Sequence, residues 1–180
     1  EFKNFLNRAE IKLNLGCGGD LKEGWINIDA DSLCGADVIA NIEDLSMFPD
    51  ECADEIYCSH VWEHFHYSKS FEILLSWKRL LKSGGKIMIQ VPDMGLLAHW
   101  YCNKMWTIDT PDIQQNLIPA IMGNQDSELE VHRSLFDKYL VMKYLDQAGF
   151  FNIIVGPSRR EHPSELYAEA YKNEIMNASI

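Results

Sequence analysis

The order of apolar and polar residues along the chain predicts short strands that alternate with helices. Runs in which apolar and polar residues alternate have the period of strands, and most of them end at turn-forming residues. Such runs lie at residues 11–15, 25–28, 36–40, 54–59, 86–93, 151–156 and 165–172. Apolar residues that recur every three or four positions predict helices at residues 68–83 and 134–148, and a short entry helix within residues 1–10. This alternation is typical of an α/β fold.

Local residues also predict where the two longer helices begin and end. Gly84 and Gly85 supply a stop after the first of them. Ser134 and Asp137 fit a variant of the capping box at the start of the second, and Gly149 closes it.

The most informative stretch chemically is residues 11–31. Its first strand ends at residues 16–19, with the sequence GCGG, where glycine takes positive φ readily and leaves the main chain bare. Its second strand ends in Asp29. In an open α/β sheet, ligands bind outside the carboxyl ends of the strands. A carboxylate placed there can accept hydrogen bonds from the two hydroxyls of a ribose, so the stretch predicts a nucleoside site.

Two other phosphate or nucleotide motifs are excluded by the residues after the glycines. A dinucleotide fingerprint would need glycine at position 21, which is Leu21, and an acidic residue about 20 residues further on. A P-loop would need lysine followed by serine or threonine, which the chain lacks at this point. The glycine triplet alone is weak evidence, since an ordinary tight turn also uses it. Its combination with the flanking strand and Asp29 favours the nucleoside site.

Composition and net charge limit the kinds of molecule that we expect the protein to bind. A chain of 180 residues is long enough for one domain with a sizeable core. The net charge of −11 and the scattered basic residues disfavour nucleic acid as a substrate. No apolar run approaches the roughly 18 residues of a membrane span, and no leader pattern precedes residue 11. We therefore expect a protein without a membrane partner.

The cysteines point to a reducing compartment. Five cysteines are odd in number and form no C-x-x-C pair, so neither a disulfide framework nor a zinc finger is indicated. We expect the protein in the cytoplasm.

Residues 60–64 match a zinc motif of metallopeptidases. The sequence His60-Val61-Trp62-Glu63-His64 fits H-x-x-E-H, which needs its two histidines on one helix face and a third protein ligand. The preceding segment has the pattern of a buried strand that ends in a loop facing a ligand. We therefore predict no metal ligands, and zinc chemistry remains an alternative.

The quoted motifs resemble a known family, the class I S-adenosylmethionine-dependent methyltransferases. The resemblance rests on residues 13–19 (LNLGCGG) and 24–29 (GWINID), and it is closest to the branch called methyltransferase type 11 in a compact form. Residues 81–85 (LKSGG) and 148–150 (AGF) carry it further along the chain, and related members have a similar H-x-x-E-H. It extends over nearly the whole sequence.

The resemblance implies the fold and the domain organisation. It implies a Rossmann-like seven-stranded sheet, mostly parallel with the last strand antiparallel, and with helices on both faces. It also implies one domain over residues 1–180. Residues 93–134 form a connection longer than usual, which we expect to be an insertion on the substrate side.

The resemblance further implies S-adenosylmethionine as the cofactor and assigns residues to it. The backbone of the glycine turn would meet the methionine portion, Asp29 the ribose, the next two loops the adenine, and the end of the fourth strand the sulfonium. Where the family has Asp at the first adenine position, this chain has Asn41, whose amide oxygen can also accept a hydrogen bond. The implied cofactor-binding residues are Gly16, Cys17, Gly18, Asp29, Ala30, Asn41, Ile42, Ser59 and His60.

The implied reaction is in-line methyl transfer to a small-molecule acceptor, such as a sugar or polysaccharide precursor. A histidine is a suitable acceptor for the proton that an oxygen or nitrogen nucleophile loses. The candidate catalytic residues are His64, His132 and Glu63. Two alternatives stay open: a regulatory or scaffold protein that binds S-adenosylmethionine without turnover, and a zinc metallopeptidase.

Overall fold

The computed structural model of the chain describes residues 9–103, 113–158 and 164–173. The predicted entry helix falls largely on residues 1–8, which lie outside this part. The described helices include none that combines the length and the apolar character required to cross a bilayer.

Seven strands form one mixed sheet. In space their order is β3-β2-β1-β4-β5-β7-β6, with β7 antiparallel to both β5 and β6 and the other neighbours parallel. The predicted seven-stranded sheet with an antiparallel last strand is therefore confirmed. The strands are β1 (Lys12–Leu15), β2 (Ile26–Asp29), β3 (Val38–Ile39), β4 (Ala53–Ser59), β5 (Leu81–Pro92), β6 (Phe150–Pro157) and β7 (Glu165–Lys172).

Four helices accompany the sheet in the described part of the chain. They are α1 (Ser70–Leu80), α2 (Met94–Cys102), α3 (Ile113–Met122) and α4 (Lys138–Gln147). Short 3₁₀ turns occur at Trp62–His64 and Glu128–Glu130. Helices α1 and α4 contact each other, and both bury apolar residues in the main core. Helices α2 and α3, which lie within residues 93–134, also contact each other.

The two faces of the sheet differ in character. Alternate residues of the strands point to opposite faces, so Leu13 and Leu15 enter the apolar core while Asn14 lies on the other face. That other face is polar: Asn14 donates to Asn27 at 2.9 Å, and Tyr57 donates to Gln90. Because these buried polar groups are hydrogen-bonded to one another, the sheet tolerates them.

Helix α1 ends earlier than the local residues predict. It stops at Leu80 instead of reaching Gly84, because Leu81 is already extended and pairs with Ala53 as the first residue of β5. The register then shifts, so that the next pair is Glu55 with Lys86 and the two glycines lie in an irregular part of the strand. Pairing with β4 overrides the local helical pattern.

The start of α4 also differs from the prediction. The N-cap is Asp137, whose side chain accepts from Leu140 N at 2.7 Å. Ser134 is buried instead and donates to the backbone oxygen of Phe65 at 2.6 Å. The predicted stop is found, since α4 ends at Gln147 and Gly149 has a φ of 73°. Ser134 therefore makes a long-range hydrogen bond to Phe65 in place of the capping bond that the local sequence predicts.

The aromatic contact between Trp62 and Phe136 joins the segment after β4 to the segment before α4. Trp62 is fully buried, its ring stacks on Phe136 with centroids 4.3 Å apart, and its Nε1 donates to Ser70 O at 3.0 Å. This contact fixes the position of the 3₁₀ turn that begins at Trp62.

We expect Trp62→Ala to lower the free energy of unfolding by about 3–5 kcal/mol, because it leaves a large cavity and an unpaired carbonyl. Chemical denaturation measures this. Tyr139→Ala, which removes a 76% exposed ring, serves as the control and should stay within about 0.5 kcal/mol of the unmodified protein. If both substitutions lowered the free energy of unfolding equally, the structural role assigned to Trp62 would be wrong.

Candidate functional site

The glycine turn after β1 is tied directly to β2. The backbone nitrogens of Gly16 and Cys17 donate to Ile28 O at 2.8 and 3.1 Å. A Cβ at Gly16 would lie 2.3 Å from a methyl group of Val61, and its φ is 64°. At Gly18, with φ 48°, an added Cβ would meet nothing within 4 Å. Packing therefore requires glycine at position 16, while position 18 presents bare backbone to open space.

Asp29 points at this turn. Its Oδ2 accepts from Gly18 N at 2.8 Å, and its Oδ1 accepts from Asp31 N at 2.8 Å. The carboxylate is half-buried, and each of its oxygens has a second lone pair for another donor. The predicted convergence of the glycine turn and the carboxylate is present in the structure.

The side chain of Cys17 lies below the same turn. Burial, the neighbouring Cys34 and the Asp29 carboxylate raise the pKa of the Cys17 thiol to about 12. The thiol is therefore protonated at neutral pH and acts as a small apolar group in the wall of the site.

The loop after β3 runs beside Asp29, because Ala40 N donates to Asp29 O at 2.8 Å. Ala30 and Asn41 are exposed at this edge. The Oδ1 of Asn41 accepts from Glu43 N at 3.0 Å, which orders the loop. Ile42 buries its side chain in the core, so only its backbone is placed to meet a ligand.

A cavity of about 230 Å³ joins the glycine turn to the end of β4. Ser59 and His60 therefore share one space with Gly16 and Cys17. His60 has a φ of 55°, a costly conformation for a residue other than glycine that is found preferentially at functional sites. The cavity is lined by Asn14, Gly16, Cys17, Asp20, Tyr57, Ser59 and His60.

His60 lies between two carboxylates. Its Nδ1 is 3.2 Å from Glu63 Oε1, and its Nε2 is 3.0 Å from Glu165 Oε1. Burial by itself would lower the pKa of His60, but the two carboxylates outweigh that effect and raise it. Glu165 was not expected from the sequence. It reaches the site because β7 pairs antiparallel with β5, which sets Glu165 opposite Pro92.

Glu63, His64 and His132 form a cluster behind His60. One ligand-type atom from each of the three lies within 4.8 Å of the others, and the two imidazole centroids are 4.8 Å apart. The backbone nitrogens of Arg133 and Ser134 donate to Glu63 O at 2.8 and 2.9 Å, which brings His132 to this position. Burial lowers the pKa of His132, and His64 adds to this against the opposite effect of Glu63.

A larger cavity of about 610 Å³ borders the first one, and Tyr57 lines both. Within it, Gln90 accepts from Tyr57 and donates to Ser158 Oγ at 2.7 Å. Tyr167 donates to Glu169 at 2.9 Å, and burial together with that carboxylate raises the pKa of Tyr167. The lining residues are Tyr57, Gln90, Ile154, Gly156, Pro157, Ser158, Tyr167 and Glu169.

Comparisons with known proteins agree with this geometry. Residues 13–89 match the family model described as "Methyltransferase domain", a match that runs from β1 into β5 and includes both the glycine turn and Asp29. No curated protein matches the sequence. Over residues 13–89 the chain is therefore similar in sequence to the methyltransferase domain family.

Solved structures of methyltransferases share the fold of this chain at low identity. One is an S-adenosylmethionine-dependent methyltransferase from Archaeoglobus fulgidus (TM-score 0.60, 15% identity, 95% of this chain and 90% of that chain). Another is an S-adenosylmethionine-dependent methyltransferase from Methanosarcina mazei (TM-score 0.62, 15% identity, 96% and 97%). A third is 1,6-didemethyltoxoflavin-N1-methyltransferase from Burkholderia thailandensis with bound S-adenosylhomocysteine (TM-score 0.58, 14% identity, 94% and 73%).

The residues of the candidate site fit S-adenosylmethionine, the cofactor of the solved methyltransferases that share this fold. Gly18 has open space where a Cβ would be, and its backbone nitrogen lies next to the carboxylate of Asp29, an arrangement that fits a ribose and the chain attached to it. A cavity lined by Gly16 and Cys17 of the same turn extends to Ser59 and His60.

The metallopeptidase pattern does not form. Residues Trp62–His64 make a 3₁₀ turn, not the α-helix on which two histidines four apart would share a face. His60 instead contacts Glu63 and Glu165, while His64 packs against His132. The sequence indicates His60, Glu63, His64 and His132 as candidates, whereas Glu165 and the pairing of these side chains depend on the fold.

We expect Asp29→Ala to weaken S-adenosylhomocysteine binding at least about 10-fold, because it removes charge-assisted hydrogen bonds to the ribose and releases Gly18 N. Isothermal calorimetry measures the affinity. Asp146→Ala is the matched control, since it removes an exposed aspartate near the end of α4 and should bind like the unmodified protein. An undiminished affinity of the Asp29 variant would refute this assignment of the ribose site.

Proposed function

We propose that this protein transfers a methyl group from S-adenosylmethionine to a small polar molecule, such as a sugar or a polysaccharide precursor. The observation that carries the proposal is a pair of cavities with Tyr57 in both walls, a smaller one at the carboxyl ends of β1 and β4 and a larger one on the polar face of the sheet. One adjoins the predicted cofactor residues, and the other opens beyond Tyr57 with room for an acceptor.

The larger cavity supports a polar acceptor. A volume of about 610 Å³ is within the usual range for small-molecule sites, and its wall offers hydroxyl, amide and carboxylate groups next to aromatic rings. Such a wall can hydrogen-bond several hydroxyls of one molecule. The net charge of −11 disfavours a polyanionic acceptor such as nucleic acid.

The positions of the predicted residues support the cofactor-binding roles. In this proposal the backbone of residues 16–18 holds the methionine portion, and Asp29 holds the ribose. The adenine lies against Ala30 and the backbone of residues 41–42. Ser59 and His60 lie beside the sulfonium.

The protein's part in the chemistry is mainly alignment. S-adenosylmethionine supplies an electrophilic methyl group on a sulfonium. The residues of the two cavities hold the acceptor atom in line with that methyl group, at about 3–3.5 Å, and exclude competing water. Glu63, His64 and His132 remain the proposed catalytic residues, since Glu63 contacts His60 in the cofactor cavity.

The state of the cysteines fits a cytoplasmic methyltransferase. All five are free thiols in the structure. A reducing compartment keeps cysteines in that state.

The experiment that tests the function separates binding from turnover. Calorimetry with S-adenosylmethionine and S-adenosylhomocysteine measures binding, and formation of S-adenosylhomocysteine with a panel of sugars, nucleotide sugars and other small polar metabolites measures turnover. We expect both binding and turnover with at least one hydroxylated acceptor. Binding without turnover on any acceptor would favour a regulatory protein instead.

For the acceptor that reacts, we expect Tyr167→Phe to raise KM about 5-fold while the affinity for S-adenosylmethionine stays unchanged, because one hydrogen bond in the acceptor cavity is lost. Initial-rate kinetics measure the change. Tyr171→Phe is the matched control: its hydroxyl also donates to Glu169, at 2.9 Å, but its ring does not line this cavity. An equal change of KM in both variants would place the acceptor elsewhere.

A further inference from the structure

The carboxylate of Glu63 is buried without the hydrogen bonds that such a group needs. The residue is 1% exposed, and neither of its side-chain oxygens has a hydrogen-bond partner. The Nδ1 of His60 lies 3.2 Å from Oε1, an ion-pair distance, but it is not aligned for a hydrogen bond. A buried carboxylate is normally paired, hydrogen-bonded or bound to a metal ion. Oε2 of Glu63, the oxygen that His60 does not contact, therefore lacks an expected partner.

The two histidines beside it complete a set of metal-ligand atoms. His64 is half-buried, and its Nδ1 is buried without a hydrogen-bond partner. His132, also half-buried, presents its ring at 78° to that of His64. One atom from each of the three side chains lies within 4.8 Å of the others, close enough for a single ion to touch all three after small side-chain movements.

We propose that Glu63, His64 and His132 bind one divalent transition-metal ion of the Zn²⁺ or Mn²⁺ type. Two imidazoles and one carboxylate form a donor set used by such ions, whereas Mg²⁺ and Ca²⁺ prefer oxygen ligands throughout. The ion would supply a positive partner for Glu63 Oε2, the carboxylate oxygen that His60 does not contact.

Backbone hydrogen bonds connect the segments that carry two of the three ligands, Glu63 and His132. Arg133 N and Ser134 N both donate to Glu63 O, and His132 N donates to Met122 O at 3.0 Å. Metal ligands are commonly oriented by such neighbouring contacts, and the loss of those contacts weakens metal binding. The segments that carry Glu63 and His132 are thus fixed to each other before any ion binds.

The position of the site suggests a role, and this part rests on the proposed function. Three protein ligands leave at least one coordination position open. The site contacts His60, which lines the cofactor cavity, and Glu63 and His132 also line a small space under α2 and α3. The open position would hold a water molecule or the reacting hydroxyl of the acceptor, which has to reach the sulfonium beside His60.

The test begins with the unmodified protein, stripped of metal by a chelator and freed of any affinity tag. Calorimetric titration with Zn²⁺, and titration with Co²⁺ followed by visible absorption, should both show one saturable site per chain. Zn²⁺ should also raise the melting temperature, because it binds the folded state. Absence of saturable binding in this protein would overturn the proposal whatever the variants do.

Variants then locate the ion. Glu63→Gln and His132→Asn should each weaken Zn²⁺ binding at least about 10-fold and lose the thermal shift. His66→Asn is the matched control, since His66 is exposed two residues from His64 and contacts Ser68. Circular dichroism shows whether each variant is folded. Unchanged Zn²⁺ affinity in a folded Glu63 or His132 variant would overturn the proposal.

Cofactor binding separates this inference from the proposed function. Calorimetry with S-adenosylhomocysteine on the metal-free protein should show nearly unchanged affinity, because none of the three ligands is assigned to the cofactor. A protein that binds Zn²⁺ at this site but never S-adenosylhomocysteine would refute the proposed function and leave the metal site standing. A protein that methylates its acceptor equally well with and without chelator would refute the role of the ion at the acceptor.

Discussion

The parallel pairing of β1 with both of its neighbours is the constraint on which the site depends. Leu15 is in register with Ile28 of β2 on one side and with Cys58 of β4 on the other. The three strands therefore end at one edge of the sheet, where the glycine turn, Asp29 and the segment after Ser59 meet. A slip of β2 by one residue would turn Asp29 toward the opposite face and separate it from the turn.

Two energetically unfavourable features lie at this edge of the sheet. His60 has a positive φ, and Glu63 is a buried carboxylate. Backbone hydrogen bonds from the surrounding chain hold both residues in place. His60 N donates to Gln90 O, and Glu63 O accepts two hydrogen bonds from backbone nitrogens. Such features are found mainly at functional sites, because the stability of the rest of the protein offsets the free energy that they cost. The scaffold here is the aromatic core around Trp62, the residue immediately before Glu63.

The polar face of the sheet has two roles in the proposed mechanism. Its hydrogen bonds between Tyr57, Gln90 and Ser158 satisfy buried groups, and the same three residues line the proposed acceptor cavity. The chain connects β1 to β2 and β2 to β3 through loops. Most of the residues proposed to bind the cofactor therefore lie within a short stretch of chain. Acceptor specificity would then be set by strand residues that also stabilise the sheet.

The sequence by itself determined the parts of the protein that depend on neighbours along the chain. Alternating residues placed the strands, and the glycine turn with Asp29 one strand later predicted the nucleoside site, because both come from adjacent segments. Only the tertiary structure decided the end of α1 at Leu80, the use of Ser134 against Phe65, and the partners of His60 and Glu63. Glu165 and His132 reach the site through antiparallel pairing and a returning loop, and no local pattern encodes such long-range contacts.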